Sequence, residues 1–222
     1  MRVDGIIDDL NGVIFDMDGL LVNSEELYEK ANQIAARNAG LDLPADFYET
    51  LSGSSLLGVQ AFFDEHFDSQ EAIDAFIKET DDMVWQWVLE GQLKLRPGVQ
   101  EALELFRRSG VKMAVASSNY ENFVQKFLTV TGISKYFEFY LYYGAVPNPK
   151  PAPDIYQLAQ ERLGIPTEKL LIFEDSTTGV QAAKNAGIKV IMVPFITRPT
   201  AQDQIDASRI MPSFYEFIDL VK

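Results

Sequence analysis

The chain has no cysteine among its 222 residues and only one histidine, His66. Without thiols there is no disulfide and no thiolate metal site, and one imidazole cannot build a histidine-rich zinc centre. Any metal must therefore be held by oxygen. Serine–histidine catalysis would have to run through His66, which sits in the stretch Phe62-Phe63-Asp64-Glu65-His66-Phe67. No nucleophile-elbow pattern occurs elsewhere, so His66 reads as a surface or helix-end residue. Positive charge is scarce too, with 19 Lys and Arg against 33 Asp and Glu for a net charge of −14. Nucleic acids and anionic membranes are held by clustered Lys and Arg, and no such cluster is found, so neither is expected as a partner. Long apolar runs are also missing: none approaches the roughly 20 residues that span a bilayer. Residues 1–9 carry acids where a signal peptide needs a basic and then an apolar region. A cytoplasmic protein is expected, monomeric by default.

What is present is a rhythm. Residues 12–16, Gly-Val-Ile-Phe-Asp, form a short apolar run ending on an acid, as a strand buried on both faces of a parallel sheet does. Val111–Ala116, Leu170–Phe173 and Ile188–Val193 have the same character. Between them lie helical patterns: one opened by Pro97 and closed by Gly110, one from Pro153 to Gly164, one after Thr177 stopping at Gly187. Strands alternating with helices predict a doubly wound α/β domain, whose site lies at the carboxyl ends of the strands. Residues 24–92 break the rhythm. Asn23 and Glu26 have capping-box spacing, followed by Leu27, Ala31, Ile34 and Ala35 on one face. Further helices are expected at Leu56–Phe67, Gln70–Thr80 and Asp81–Leu89. This segment reads as a helical insert with hinges near Val22–Ser24 and Gly91–Pro97. Its aromatics (Phe47, Tyr48, Phe62, Phe63, Phe67, Phe76, Trp85, Trp87) are assigned to its core.

Polar residues cluster just beyond the predicted strands. Asp16-Met17-Asp18-Gly19 sets two carboxylates two residues apart, which repel by about 4 kcal/mol at ~4 Å with an effective dielectric near 20. A cation is needed between or beside them, and with oxygen-only ligands a hard divalent cation is the natural candidate; Mg²⁺ typically takes only one or two carboxylates, while the same letters also occur in turns and calcium loops. Gly19 would turn the chain and leave backbone N–H groups facing a ligand. Glu174-Asp175 is a second acidic pair ahead of a helix start; Asp175 or Ser176 could cap that helix, or the two acidic pairs could close round one metal. Ser117-Ser118-Asn119 places hydroxyls and an amide where an oxyanion can bind, or where they merely cap a helix. Lys150 stands between Pro149 and Pro151 in a frame too proline-rich for a helix.

The runs Val13-Ile14-Phe15-Asp16-Met17-Asp18-Gly19, Ala116-Ser117-Ser118, Lys150-Pro151-Ala152-Pro153-Asp154 and Ile172-Phe173-Glu174-Asp175-Ser176 resemble, in order and spacing, the four motifs of the haloacid dehalogenase superfamily. The resemblance is to the branch with a helical cap inserted after the first motif, which holds beta-phosphoglucomutase and many small-molecule phosphatases. It implies a Rossmann-like core (1–22 and 93–222) carrying a helical cap (23–92). It also implies Asp16 as nucleophile, Asp18 as general acid and base, and Ser117 and Lys150 on the transferring phosphoryl group. Mg²⁺ would be held by the Asp16 carboxylate, the Asp18 backbone carbonyl and Asp175, with Glu174 as a ligand or through water. Gly19, Ser118, Asn119 and the cap residues Tyr28, Ser54, Ser55 and Gln60 are nominated for substrate binding.

Within the resemblance, Asp18 disfavours dehalogenation, which needs no proton donor. Lys30 and Lys78 lack the desolvated setting that a Schiff-base lysine of the phosphonate hydrolases requires. Phosphomutase shares every core residue, yet Tyr28 and Leu56 stand where beta-phosphoglucomutases carry a histidine and a phosphate-binding arginine. Asn23-Ser24 replaces the common Asp-Ser at the hinge. The expectation is therefore a Mg²⁺-dependent phosphatase of a small, sugar-phosphate-like monoester, with a mutase as rival and a noncatalytic Mg²⁺ or phosphate-binding module as the alternative of another class.

Overall fold

The computed structural model describes residues 1–44, 47–52 and 56–221. Its strands are β1 (Gly12–Phe15), β2 (Lys112–Ala116), β3 (Phe139–Leu141), β4 (Leu170–Glu174), β5 (Lys189–Met192) and β6 (Arg209–Ile210). They form one sheet in the order β3-β2-β1-β4-β5-β6, and every pairing is parallel. The four strands read from apolar runs are all there. The sequence reading omitted β3 and β6, which have three and two residues, at the two edges. Edge strands this short carry no run long enough to stand out.

Ten α-helices accompany the strands among the described residues: α1 (Ser24–Asn38), α2 (Phe47–Ser52), α3 (Leu56–His66), α4 (Gln70–Leu89), α5 (Val99–Arg108), α6 (Glu121–Val130), α7 (Asp154–Leu163), α8 (Thr177–Asn185), α9 (Ala201–Asp206) and α10 (Phe214–Ile218). The first four fall between β1 and β2, and the described residues of that stretch contain no strand. Two helices were expected over residues 70–89, but α4 runs unbroken for 20 residues. Neither Gly nor Pro interrupts the segment, so nothing stops propagation once Ser69 has capped its start by accepting from the Ala72 N–H. The capping box expected at α1 does not form. Asn23 makes no cap bond; its Oδ1 accepts from the Lys94 N–H and its Nδ2 donates to Glu26.

Side chains of successive strand residues alternate between the faces of the sheet. Val13, Phe15, Met113, Val115, Leu171 and Phe173 join one apolar cluster, while Ile14, Ala114, Ala116, Leu170 and Ile172 join another beneath α7 and α8. The first cluster is centred on Phe15, stacked on Phe173 at 5.5 Å and edge-on to Phe106 at 5.8 Å. Each such ring stabilises the fold by roughly 1.5–3 kcal/mol. This cluster also takes in Leu27 and Ala31 of α1 and Val84 and Val88 of α4, so the base of the helical stretch is fastened to the sheet layer. A small separate cluster holds Ala35, Ala36 and Phe76, with Phe63 and Phe67 packed on it. The two chain crossings at residues 21–23 and 94–96 lie side by side, through Asn23 N–H to Lys94 C=O and Arg96 N–H to Leu21 C=O.

Candidate active site

The register of the sheet determines what meets at its carboxyl edge. Phe15 is level with Val115 and with Phe173, so the next residues, Asp16, Ala116 and Glu174, emerge together. β1 lies where the strand order reverses, at the crevice in which open α/β sheets bind ligands.

Lys150 is the hub. Its Nζ donates to Asp16 Oδ1 at 2.7 Å, Glu174 Oε1 at 2.6 Å and the Ala116 carbonyl at 3.1 Å, and the residue is only 9% exposed. Burial pulls on this ammonium, but the Asp16 and Glu174 carboxylates hold it well above the ordinary lysine range. Glu174 is fully buried. Its Oε1 also accepts from the Tyr156 hydroxyl at 2.5 Å, and its Oε2 accepts from the N–H groups of Asp175 and Ser176 and from Ser176 Oγ. Ser176 is the residue that caps α8, accepting from the Gly179 N–H. A Cβ on Gly179 would overlap the Glu174 carboxylate.

Carboxylate oxygens of Asp16, Glu174 and Asp175 lie within 4.8 Å of one another. Burial first, and then Glu174 and Asp18, push the Asp16 carboxyl up to about 8 against the pull of Lys150. Asp175 is driven well above its usual range by burial, then by Asp16, Glu174 and Glu25. One ammonium does not offset that many buried acids. Gly19, at φ 74°, passes so close to Asp175 that a Cβ there would overlap Oδ2. Its N–H does not face the cavity as expected but donates to the Val22 carbonyl, closing the turn.

Asp18, which borders the same cavity as Asp16, has a different set of partners. Ser24 Oγ donates to Oδ1 at 2.6 Å, Asn119 Nδ2 to Oδ1 at 3.2 Å, and Ser117 Oγ to Oδ2 at 3.1 Å. Burial raises its pKa against those hydrogen bonds. In this structure Ser117 and Asn119 hold Asp18, and Ser117 Oγ also accepts from the Asn119 N–H.

A cavity of about 170 Å³ opens over these groups, bordered by Asp16, Asp18, Ser118, Lys150 and Asp175 and also by Val59, Tyr143 and Thr178. Of the nominated cap residues, Tyr28 packs edge-on against Phe123 at 6.5 Å, and its hydroxyl is raised by burial and then by Asp18 and Asp81. Gln60 is a miss: it is exposed and donates to Asp64, while its neighbour Val59 faces the cavity. One residue along a helix rotates the side chain by about 100°. Ser54 and Ser55 lie outside the described residues.

Other readings resolve similarly. His66 ends α3, with Nδ1 on the Phe62 carbonyl and its ring stacked on Phe62 at 4.3 Å. Lys30 lies over the Trp87 ring and Lys78 pairs with Asp82 on the surface, so neither is a buried nucleophile. Tyr48, assigned to the insert core, donates its hydroxyl to Glu25 at 2.7 Å. Tyr156, Glu25 and Gly179 were not singled out from the sequence, and Ser24 only as part of the hinge. For Tyr156 a signal existed: a phenol on the buried face of α7, with Ile155, Ala159 and Leu163, requires a polar partner.

The model for haloacid dehalogenase-like hydrolases matches residues 13–193. The chain is 35% identical over 182 residues to a phosphorylated carbohydrates phosphatase of Thermotoga maritima, covering 82% of this chain and 84% of that protein. It is 30% identical to Protein CbbY of Rhodobacter capsulatus, covering 84% and 86%. Among solved structures, CbbY from Rhodobacter sphaeroides in complex with phosphate matches with a TM-score of 0.78 at 28% identity, over 93% of this chain and 96% of that one. A variant of it in complex with xylulose-(1,5)bisphosphate matches equally.

Proposed function

The chain belongs to the haloacid dehalogenase-like hydrolases and is a phosphoric monoester hydrolase, and from that premise we propose that it cleaves a small phosphorylated carbohydrate through an aspartyl-phosphate on Asp16. One observation carries the reading: Lys150 bonds Asp16 and Glu174 while Asp16, Glu174 and Asp175 crowd within 4.8 Å. We assign residues 1–22 and 93–222 to a catalytic core and 23–92 to a cap.

Asp16 attacks phosphorus in line, and the bond to the leaving oxygen breaks as Asp18 gives that oxygen its proton. Burial shifts the Asp18 pKa upward, the direction that favours a proton donor, against the hydrogen bonds it accepts. Asp18 then takes a proton from the water that attacks the acyl-phosphate, and free phosphate leaves Asp16. Lys150 balances charge on the phosphoryl oxygens, with Ser117 and Ser118 beside it. Glu174 holds Lys150 and the Asp175 turn in place, because both of its oxygens are already taken. Ser118 borders the cavity next to Lys150, while Gly19 closes the turn after Asp18 and Asn119 holds the Asp18 carboxylate.

The donor set fits Mg²⁺: all oxygen, buried, with more carboxylates than one lysine offsets. Asp16 and Asp175, with the Asp18 carbonyl, would hold it, and Glu174 supports them from behind. When bound, the ion supplies charge neutralisation for the nucleophile and the phosphoryl oxygens.

Hydrolysis is preferred to phosphomutation because Val59, an apolar residue, is what the described part of the cap presents to the cavity. A second phosphate requires a cation there. The test is phosphate release from a panel of sugar phosphates, with and without Mg²⁺. We expect Mg²⁺-dependent release, lost by at least ~1,000-fold in Asp16→Asn. Release that persists in that variant rules out the assigned nucleophile; isomerised sugar phosphate in place of free sugar makes the chain a mutase.

A further inference from the structure

Beyond the phosphoryl-binding groups, the catalytic cavity has a wall that the proposed chemistry does not use. Tyr143, 43% exposed, borders the cavity that holds Asp16 and Asp18, and also a second cavity of about 190 Å³ that adjoins it past Ser118 and Lys150. Tyr120, 58% exposed, stands against Tyr143 edge-on at 5.3 Å. Single exposed aromatics are ordinary, but two paired at the rim of a charged cavity form a patch.

The pair is rigidly mounted. The Tyr143 N–H donates to the Asn119 carbonyl at 2.8 Å, and the Tyr120 N–H donates to Asn119 Oδ1 at 2.8 Å. Asn119 in turn donates to Asp18, the group assigned to protonate the leaving oxygen. The backbone of the aromatic platform and the proton donor are thus tied to one residue, Asn119, through its main-chain carbonyl and its side-chain amide. Val59, from α3, borders the same cavity. A leaving group bound beside Asp18 therefore meets a phenol ring and an aliphatic side chain, surfaces suited to the flat face of a ring and indifferent to an open polyol.

We propose that Tyr143, braced by Tyr120, determines specificity by stacking on the ring of the leaving group, so that the substrate is a phosphomonoester of a cyclic sugar or a nucleoside. This deepens the phosphatase reading and rests on it. Two sources offer a ring face, the C–H face of a cyclic sugar and a nucleobase, and the arms of the test separate them.

The experiment is steady-state kinetics with Mg²⁺ on a hexose 6-phosphate, a nucleoside 5′-monophosphate and glycerol 3-phosphate, using the wild type, Tyr143→Ala and Tyr143→Phe. Tyr143 is exposed at the rim, so its truncation leaves folding intact, which a melting curve checks. The expected result is a KM rise of about 5–10-fold in Tyr143→Ala on a ring ester, with kcat within about 2–3-fold and glycerol 3-phosphate unchanged. Tyr143→Phe keeps wild-type KM, because stacking belongs to the ring. A rise on the hexose ester assigns a sugar face, and a rise confined to the nucleotide assigns a base. Equal losses on all three esters, or no change on the ring esters while the wild type turns them over, overturn the ring subsite and leave the phosphatase reading standing. A wild type that releases phosphate from glycerol 3-phosphate but from neither ring ester overturns the ring subsite alone, and one that releases it from none of the three nor from the sugar-phosphate panel overturns both.

Discussion

At the scale of single residues, the groups that announced themselves are those whose chemistry is local. Asp16, Asp18, Lys150, Glu174 and Asp175 follow short apolar strands or sit in a proline frame, and a charge in such a place needs a reason. Their partners were not legible in the same way. Ser24, Tyr156 and Gly179 matter because tertiary packing brings them to Asp18 and Glu174, and no short-range pattern encodes that meeting. Gln60 failed for a related reason, since helical phase cannot be read to one residue from a weakly patterned stretch. The buried acids carry a prediction of their own. With the Asp16 carboxyl at about 8 in the folded protein and near 4 when unfolded, the folded state holds the extra proton between those values. Stability from this group is full below about pH 4 and is lost as pH rises through 8. Metal-free protein should therefore melt several degrees lower at pH 8.5 than at pH 6, and Mg²⁺ should raise the melting temperature more at the higher pH. Asp175→Asn should flatten that difference. Melting curves with and without Mg²⁺ decide it, and a pH-independent gap refutes the account of the buried cluster.

Elements were legible in proportion to their length and to the contrast of their ends. The four central strands are continuous apolar runs bounded by turns; β3 and β6 are too brief to show a period. The split expected in α4 came from its mixed middle, Glu79-Thr80-Asp81-Asp82, whose acids face outward or lie at partial burial while Thr80 satisfies its hydroxyl on the Phe76 carbonyl. Helix α8 shows local preference yielding to tertiary demand. Gly179 lies in its first turn, where alanine would favour the helix by about 1 kcal/mol. A Cβ there overlaps a Glu174 carboxylate already fixed by Lys150, Tyr156 and the N–H groups of Asp175 and Ser176 just ahead of the helix. Overpacking costs about 1–3 kcal/mol before the displaced charge is counted, so the overlap wins. Gly179→Ala should lower the unfolding free energy by about 1–2 kcal/mol in urea titration and reduce phosphatase activity as Lys150 loses its support. An unchanged or raised midpoint would show that Glu174 can move aside.

For the whole molecule, the scarcities that open the sequence now have a structural counterpart. A net charge of −14 is carried by a fold that gathers three of its acids, Asp16, Glu174 and Asp175, around the buried Lys150, an arrangement suited to a divalent cation. No helix among the described residues is long and apolar enough to cross a membrane. The order β3-β2-β1-β4-β5-β6 brings residues more than 150 positions apart in sequence to one sheet edge, Asp16 and Asp175 among them. The alternation of strands and helices foretold that meeting; which partner each side chain would choose was beyond it, because hydrogen-bond geometry is settled only once the layers pack. The helical stretch between β1 and β2 contributes Ser24 and Val59 to the site and shares the apolar cluster of the sheet. The central claim is that Asp16 becomes covalently phosphorylated. It is tested most directly by mass spectrometry of protein quenched in acid during turnover of an aryl phosphate, whose good leaving group lets Asp18→Asn form the intermediate but not hydrolyse it. The account predicts an increment of about 80 Da on the peptide carrying Asp16, accumulating in Asp18→Asn and absent from Asp16→Asn. Turnover with no adduct in Asp18→Asn, or an adduct that survives Asp16→Asn, would contradict it.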